Sequence, residues 1–359
     1  MLMVPARERV GRTPMDLAAE VVVLVVGFRN PADVAACVRA LAGAPPEPSF
    51  EIFIAENGGP KAMDAVVRSL LAEGGLHPCV ADADVPAEPR LVRRQRLQWE
   101  SPDGTRRIGV NVAETTENLG YAGGVNAWLR PLLQVPGWTG AWILNPDAEP
   151  SPRALAELVA YAAERDKPMV GSRLLVSPDA DYVHSRGLAW RKLAAKTAAV
   201  DFRTQGMQAP DPDDVDARLD APSGASLYVT RALVEAIGLM DERYFLYFED
   251  LEWGMRAKPF GGVGYAHASV VPHKGGTTTR AADRSPSALT TYLEFRNRIL
   301  FTRSRYPAWL PWTIAMQVVH VALLFLRGPR TRVVVAVRGI VAGVLGEVGR
   351  PDHIIGARG

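Results

Sequence analysis

The chain opens its ordered pattern with Val21–Gly27, seven consecutive apolar or small residues without polar alternation. Such a run reads as a strand buried on both faces, as in a parallel sheet. Residues 31–41 follow with helical spacing, Val34, Cys37, Val38 and Leu41 falling on one side. A second buried strand is predicted over residues 51–55, ending in Glu56-Asn57-Gly58-Gly59, and a second helix over residues 62–73. This βαβα alternation predicts a doubly wound, mainly parallel sheet flanked by helices, with ligands at the carboxyl ends of its strands. From residue 77 to residue 109 the pattern dissolves into Pro, Asp and a basic stretch, Arg90 to Arg96, which reads as a solvated surface excursion. Regularity returns at Val110. A third buried strand over residues 138–144 delivers Asn145-Pro146-Asp147, and Ser151 is placed to cap a helix running through Arg165. A strand over residues 226–230, a helix over 231–237 and a loop over 240–252 come next, and no internal repeat is visible.

The end of the chain differs in kind. Residues 309–326 are mostly apolar, interrupted by Gln317 and His320, and are followed by Arg327, Arg330, Arg332 and Arg338. The net charge is only +2, yet residues 291–359 hold ten Arg against three acids, so the first 290 residues are mildly acidic. An α/β domain with a basic, helical C-terminal appendage therefore describes 359 residues of ordinary globular composition. The boundaries expected are an N-terminal extension at 1–20, a catalytic domain at 21–285 and the appendage at 286–359. Cys37 and Cys79 have neither metal-binding spacing nor a disulfide framework, and residues 1–20 contain no long apolar run, so a cytoplasmic location is expected. The apolar segment is near the lower length for spanning a bilayer. It reads either as an in-plane helix, with Trp309 and Trp312 at the interface and the arginines on anionic headgroups, or as a core helix packed on the catalytic domain.

Four segments hold candidate chemistry. Asp147 lies just past a buried strand, where a divalent cation bridging a diphosphate would need a carboxylate; the same residues also read as a Pro-Asp turn. Glu249 and Asp250 are adjacent acids within an aromatic stretch, an environment that raises a carboxyl pKa toward that of a general base; alternatively Asp250 caps a helix beginning near Leu251. His273 ends a strand and precedes Lys274-Gly275-Gly276, placed to complete a coordination sphere or simply to hydrogen-bond in the structure. The stretch Asn118-Leu119-Gly120-Tyr121-Ala122-Gly123-Gly124-Val125-Asn126 offers glycines for close approach and a helix N-terminus for phosphate, without the spacing of a dinucleotide fingerprint.

Taken in order, these segments resemble glycosyltransferase family 2, of GT-A fold, and most closely its bacterial rhamnosyltransferase-like branch. The resemblance runs from Val21 to about Tyr306. It implies that Phe28, Arg29, Glu56 and Asn57 hold the nucleotide, with Glu56 standing where the family usually has Asp. It also implies that Asn118, Gly120, Gly123, Gly124, Asn126 and Asn145 line the donor pocket. Asn145-Pro146-Asp147 stands in the place of the family's Asp-x-Asp motif, so Asp147 is expected to touch a Mg²⁺ or Mn²⁺ ion together with His273. Ser223, Gly224 and Trp253 fall on the acceptor side. Phe248-Glu249-Asp250 matches the acidic pair whose second member is the base, and residues 292–298 match an Arg-Asn helix following the catalytic domain. The activity implied is inverting transfer of a sugar, with rhamnose favoured, from a dTDP- or UDP-sugar to a glycan or lipid-linked acceptor in cell-envelope polysaccharide synthesis. Peripheral contact at the inner membrane face would suit a lipid-linked acceptor, and no nucleic-acid partner is expected. Two other readings stand beside it: a non-catalytic nucleotide-sugar-binding module, which has little reason to keep Asp147, Glu249, Asp250 and His273 together, and a nucleotidyltransferase, which would want a more basic loop than Gly27-Phe28-Arg29-Asn30.

Overall fold

A computed structural model describes residues 17, 19–79, 85–176, 182–202, 204–205, 208–275, 286–327 and 330–355. Most of the expected extension at 1–20, and Gly276, lie outside these residues. The first half alternates β1 (Val21–Gly27), α1 (Pro31–Ala42), β2 (Phe50–Glu56) and α2 (Pro60–Ala72), followed by β3 (Leu76–Pro78), β4 (Leu91–Glu100), β5 (Arg107–Thr115), α3 (Gly120–Leu132) and β6 (Gly140–Leu144). Next come α4 (Ala154–Glu164), β7 (Met169–Val176), β8 (Tyr182–Ser185), β9 (Leu188–Arg191), β10 (Lys196–Ala199), β11 (Thr204–Gln205) and α5 (Pro212–Arg218). The remainder is β12 (Ser226–Thr230), α6 (Arg231–Ile237), α7 (Glu249–Ala257), β13 (Val263–His273), and then α8 (Ala288–Arg305), α9 (Leu310–Arg327), α10 (Arg330–Leu345) and α11 (Asp352–Ile355).

The main sheet runs β11-β8-β7-β12-β6-β1-β2-β5-β4-β3, with β13 alongside β7. Its centre is parallel: β6, β1, β2 and β5 all point the same way, and antiparallel strands extend the sheet on both sides. Every residue of β1, β2 and β6 is buried, which is why β1 and β6 read as continuous apolar runs and β2 as one broken only by Glu51 before its closing Glu56. Helices cover both faces: α1, α2 and α4 share one core with Val23, Ile52 and Leu144, while α3, α6 and α7 share the other with Leu24, Phe53 and Ile143. The chain leaves β1 for β2 on one side and later returns to put β6 on the other. That reversal opens a crevice at the carboxyl ends of β1 and β6.

Three local expectations are corrected. Much of the supposed surface excursion over 77–109 is β3 and β4, joined to β5 as an antiparallel extension of the sheet. The arginines of β4 are bound rather than solvated: Arg93 meets Glu114 at 3.2 Å and Asp64 at 3.0 Å, Arg96 meets Glu51 at 2.5 Å, and Arg94 donates to the carbonyls of Val85 and Pro86. Ser151 is not a helix cap. Its backbone is occupied by β13, donating to Val270 O at 3.0 Å, and the helix starts three residues later at Ala154. Nor does Asp250 cap a helix, because α7 begins at Glu249 after Phe248, which has left-handed backbone torsions.

Candidate active site

A cleft of about 340 Å³ opens at the crevice between the ends of β1 and β6. A volume of that order suits a small-molecule ligand. Stretches far apart in the chain build its wall. The loop after β6 brings Asn145 and Asp147, and the end of β13 brings His273. These meet because the β6 loop pairs with β13: Ala148 bridges to His273, Glu149 N donates to Pro272 O at 2.9 Å, and Lys274 N donates to Asp147 O at 3.2 Å. As a result the Nε2 atom of His273 lies 3.1 Å from Asp147 Oδ1 and 3.2 Å from the Asn145 amide nitrogen, although the chain separates them by more than a hundred residues. Both Asp147 and His273 are buried. Among the described residues, no group of three or more His, Cys, Asp and Glu side chains converges as a metal cluster.

The second stretch is the loop leading into α7. Phe245, Tyr247 and Phe248 all have positive φ, at 67°, 68° and 77°. Aromatic residues avoid that region, so the loop is held there by outside contacts. Asn297 of α8 supplies them: its amide nitrogen lies within 3.0 Å of the carbonyl oxygens of Tyr244, Leu246 and Tyr247. The buried Arg296 guanidinium donates to Tyr244 O at 3.0 Å and to Gly349 O at 2.7 Å. From the opposite side Tyr121 N donates to Phe245 O at 2.8 Å. Gly120 has φ +72°, and a Cβ there would sit 2.2 Å from the same oxygen, so only glycine fits.

The loop sets Glu249 and Asp250 in the first turn of α7 with different surroundings. Asp250 reaches the cleft and accepts from Gly224 N at 3.0 Å and Leu251 N at 2.8 Å. Glu249 is buried, and its Oε2 has no hydrogen-bond partner among the described residues. Burial pushes the Glu249 carboxyl far above the usual range, and the charge of Asp250 pushes it further. Burial raises Asp250 as well, but the two amides pull it back. The pair's proton therefore rests on Glu249, leaving Asp250 as the anion. A carboxyl whose folded pKa exceeds its unfolded value, about 4.3 for Glu, contributes stability that is fully present below the unfolded value and is lost as pH rises through the folded one. Glu249→Gln, which keeps the neutral shape, should match the parent in acid and become the more stable protein as pH rises. Urea midpoints measured from about pH 4 to about pH 8 check this, and a difference that does not change with pH would refute it.

Tyr121 was not singled out in the sequence, although it sits inside the glycine-rich stretch. Its ring lines the cleft, its hydroxyl donates to Gly224 O, and burial first, then the neighbouring acids, the anions Asp250 and Asp147 among them, raise its pKa. Thus Tyr121 stands among both acidic groups. Phe28, Asn57, Asn118, Gly120, Ser223 and Gly224 also line the cleft as expected. Asn57 is clamped, donating to Gly120 O at 2.9 Å and accepting from Thr115 Oγ1 at 2.9 Å. Arg29 is exposed, with its guanidinium 5.0 Å from the centre of the Phe28 ring. The start of α8 adds Ser287, Leu289 and Thr290 to the wall, which the motifs did not suggest.

Five expected contact residues lie behind the wall instead. Trp253 is fully buried in the core and donates to Gly238 O at 2.9 Å, because it shares the inward face of α7 with Glu249 four residues earlier. Asn126 spends its side chain on Met240 and Glu242, accepting from Met240 N at 3.1 Å and donating to Met240 O and Glu242 Oε1 at 2.8 Å each. Gly123 and Gly124 are packing residues: added Cβ atoms would meet Leu119 at 2.8 Å and Val26 at 2.7 Å. Glu56 has no accessible surface, and its Oε1 accepts from Arg29 N at 3.0 Å and Gly58 N at 2.8 Å, so the carboxylate shapes the turn after β2. The Cys37 thiol lies beneath the site and is pushed far up by burial and by Asp147, which leaves it unreactive.

No family model matches the chain. Two curated relatives do. The N-acetylglucosaminyl-diphospho-decaprenol L-rhamnosyltransferase of Mycobacterium tuberculosis is 27% identical over 250 residues, which cover 60% of this chain and 76% of the relative. The low-salt glycan biosynthesis hexosyltransferase Agl10 of Haloferax volcanii is 24% identical over 210 residues, covering 58% of this chain and 63% of the relative. Among solved structures, GalNAc-T7 with UDP, GalNAc and Mn²⁺ superimposes with a TM-score of 0.50 at 13% identity, covering 78% of this chain and 47% of the other; this likeness speaks for the fold. The chain has the GT-A fold and is similar in sequence to these glycosyltransferases, the rhamnosyltransferase among them.

Proposed function

We propose that the chain is an inverting, metal-dependent glycosyltransferase that moves a sugar, rhamnose by resemblance, from a dTDP- or UDP-sugar to a hydroxyl of a glycan or lipid-linked acceptor in cell-envelope polysaccharide synthesis. The observation that carries this reading is the meeting of two unlike acidic groups in one cleft, Asp147 with His273 and Glu249 with Asp250. The relative from M. tuberculosis is named for a rhamnosyl transfer to a diphospho-decaprenol acceptor, which supports the donor sugar and the lipid-linked acceptor. Residues 21–285 form the catalytic domain in this reading, 1–20 an extension and 286–359 an appendage working at the inner face of the membrane.

Asp147 and His273 suit a Mg²⁺ or Mn²⁺ ion. Nε2 cannot both donate to the Asp147 carboxylate and accept from the Asn145 amide nitrogen, whereas a cation would take the imidazole lone pair and the carboxylate charge together. Two protein ligands leave room for water and for the diphosphate oxygens that a hard cation prefers. When bound, the metal would neutralise charge on the departing diphosphate. Phe28 and Asn57 are the nucleotide side of the cleft, Asn118, Gly120 and Asn145 the sugar side, and Ser223 and Gly224 the acceptor side. Asp250 takes the proton of the acceptor hydroxyl as that oxygen bonds to the anomeric carbon and the bond from that carbon to the diphosphate oxygen breaks. Glu249 keeps a proton beside it, and Tyr121 holds Gly224, whose amide steadies Asp250.

A thermal-shift screen tests the assignment. A nucleotide sugar with Mn²⁺ should raise the melting temperature, the same sugar with a chelator should not, and His273→Ala should remove the metal-dependent part of the shift. Equal shifts with and without metal would overturn the metal assignment.

A further inference from the structure

Helices α9 and α10 are built the wrong way round for water. On α9 the polar residues Thr313 and Gln317 are buried against α8, where Thr313 donates to Thr302 Oγ1 at 3.2 Å and Gln317 to Phe295 O at 2.9 Å. His320, one turn on, lies 3.2 Å from Arg298 of α8. The large apolar residues face outward: Val318, Val319, Leu323 and Phe325 are exposed, and Leu326 is 76% exposed. On α10 the inward positions are small, Ala336, Gly339, Ala342 and Gly343, and the two glycines let the helix approach the α8 backbone so closely that a Cβ would come within 2.5 Å of Tyr292 O and 2.8 Å of Arg296 O. Its large residues again point away, with Val334, Val337, Val341 and Val344 exposed and Leu345 80% exposed. A soluble helix reverses this arrangement. So large an apolar surface on two consecutive helices marks a partner that is itself apolar.

Charge identifies that partner. Between Glu294 and Glu347 the chain has eight Arg and no Asp or Glu, and Arg330 and Arg338 are exposed among the outward valines. A second copy of this surface would set arginine against arginine, whereas an anionic lipid headgroup layer complements it. Trp309 and Trp312, both exposed at the start of α9, are residues that favour the headgroup level. Residues 307–326 are long and apolar enough to cross a bilayer. However, spanning would require Thr313, Gln317 and His320 to leave α8 for hydrocarbon.

We infer that α9 and α10 lie in the plane of an anionic bilayer, with their valine and leucine faces in the acyl boundary and Arg330 and Arg338 on acidic headgroups. The same α8 that carries them contributes Ser287, Leu289 and Thr290 to the cleft, so the docked surface is one helix away from the site where a lipid-linked acceptor would enter. The inference stands without the transferase reading, and its flotation readout uses neither donor nor acceptor. The full chain is floated with vesicles of phosphatidylcholine, or of two parts phosphatidylcholine to one part phosphatidylglycerol. Salt is set at about 0.1 M and at about 1 M, where screening falls to about 3 Å. Binding to the anionic vesicles should exceed binding to the neutral ones and weaken at high salt. Arg330→Glu with Arg338→Glu should lower anionic binding about tenfold or more. Leu323→Glu with Val341→Glu should abolish it, while circular dichroism and nucleotide-sugar thermal shifts stay unchanged, since all four side chains are exposed. Three outcomes overturn the proposal: equal flotation of parent and variants, retention on vesicles after alkaline carbonate, which would mean a spanning helix, or a parent dimer in sedimentation velocity that Leu323→Glu dissolves.

Discussion

Asp250→Asn should lower the transfer rate constant by about 10²–10⁴-fold, the usual worth of a positioned general base, while leaving the donor's dissociation constant unchanged. The amide keeps the shape of the carboxylate and one oxygen that can accept from Gly224 N, now 3.0 Å from Asp250 Oδ2; the bond given up is the one from Leu251 N within the first turn of α7, so the cleft wall keeps its tie to Asp250. What it loses is basicity. Asp250 is suited to that role because two backbone amides keep it the more acidic of a buried pair, while burial holds it above the ordinary aspartate range. Its partner Glu249, whose Oε2 has no hydrogen-bond partner among the described residues, retains the proton. Single-turnover transfer and donor titration, measured on the same preparations, separate the two effects. A rate constant within tenfold of the parent would remove Asp250 from the chemistry.

The second large effect is expected far from any reacting atom. Asn297→Ala removes the amide nitrogen that reaches the carbonyls of Tyr244, Leu246 and Tyr247. Tyr244 O keeps Arg296 as a donor, but the other two carbonyls lose the side chain that meets them. An unsatisfied buried carbonyl costs about 1–3 kcal/mol, so a destabilisation of about 2–6 kcal/mol is expected for the pair. The consequence for function is larger than the cost in stability. Phe245, Tyr247 and Phe248 hold positive φ only while the loop is braced, and relaxation of those torsions would turn Glu249 and Asp250 away from their places at the head of α7. The variant should therefore lose transfer at temperatures where it remains folded, with donor affinity held by the β1 and β6 side of the cleft. Urea denaturation gives the first quantity, and kinetics well below the melting temperature give the second. Full activity in a destabilised but folded Asn297→Ala protein would show that the brace serves stability alone.

Residues whose environment follows from their neighbours in sequence were legible. Strands β1, β2 and β6 are buried on both faces, and their apolar runs, broken in β2 only by Glu51 before the closing Glu56, say so. The positions of Asn145 and Asp147 followed from the end of β6, and that of His273 from the end of β13. Strand β4 was not legible because it carries arginines on a partly exposed part of the sheet. Their partners Glu114, Asp64 and Glu51 belong to other elements, and a charge run shows no sign of them. Trp253 was misplaced for a different reason. Its closeness to two acids in sequence suggested a shared site, whereas helical geometry puts it with Glu249 on the buried face. The glycines at 123 and 124 likewise looked like ligand contacts, and their absent side chains instead admit Leu119 and Val26.

By itself the sequence determined the α/β alternation, the strand ends that carry Asp147 and His273, the adjacency of Glu249 and Asp250, and the basic, apolar character of the last helices. These are properties of short stretches, set by burial patterns and by the chemistry of adjacent residues. Only the tertiary structure decided that the β6 loop pairs with β13 and so brings Asp147 to His273. It alone showed that Asn297 braces the loop before α7, that Tyr121 joins the acidic residues, and that α9 turns its polar side inward. Each of these rests on a contact between residues far apart in the chain. Which hydrogen bonds and packing surfaces are then satisfied depends on the whole fold, and local propensity has no say in it.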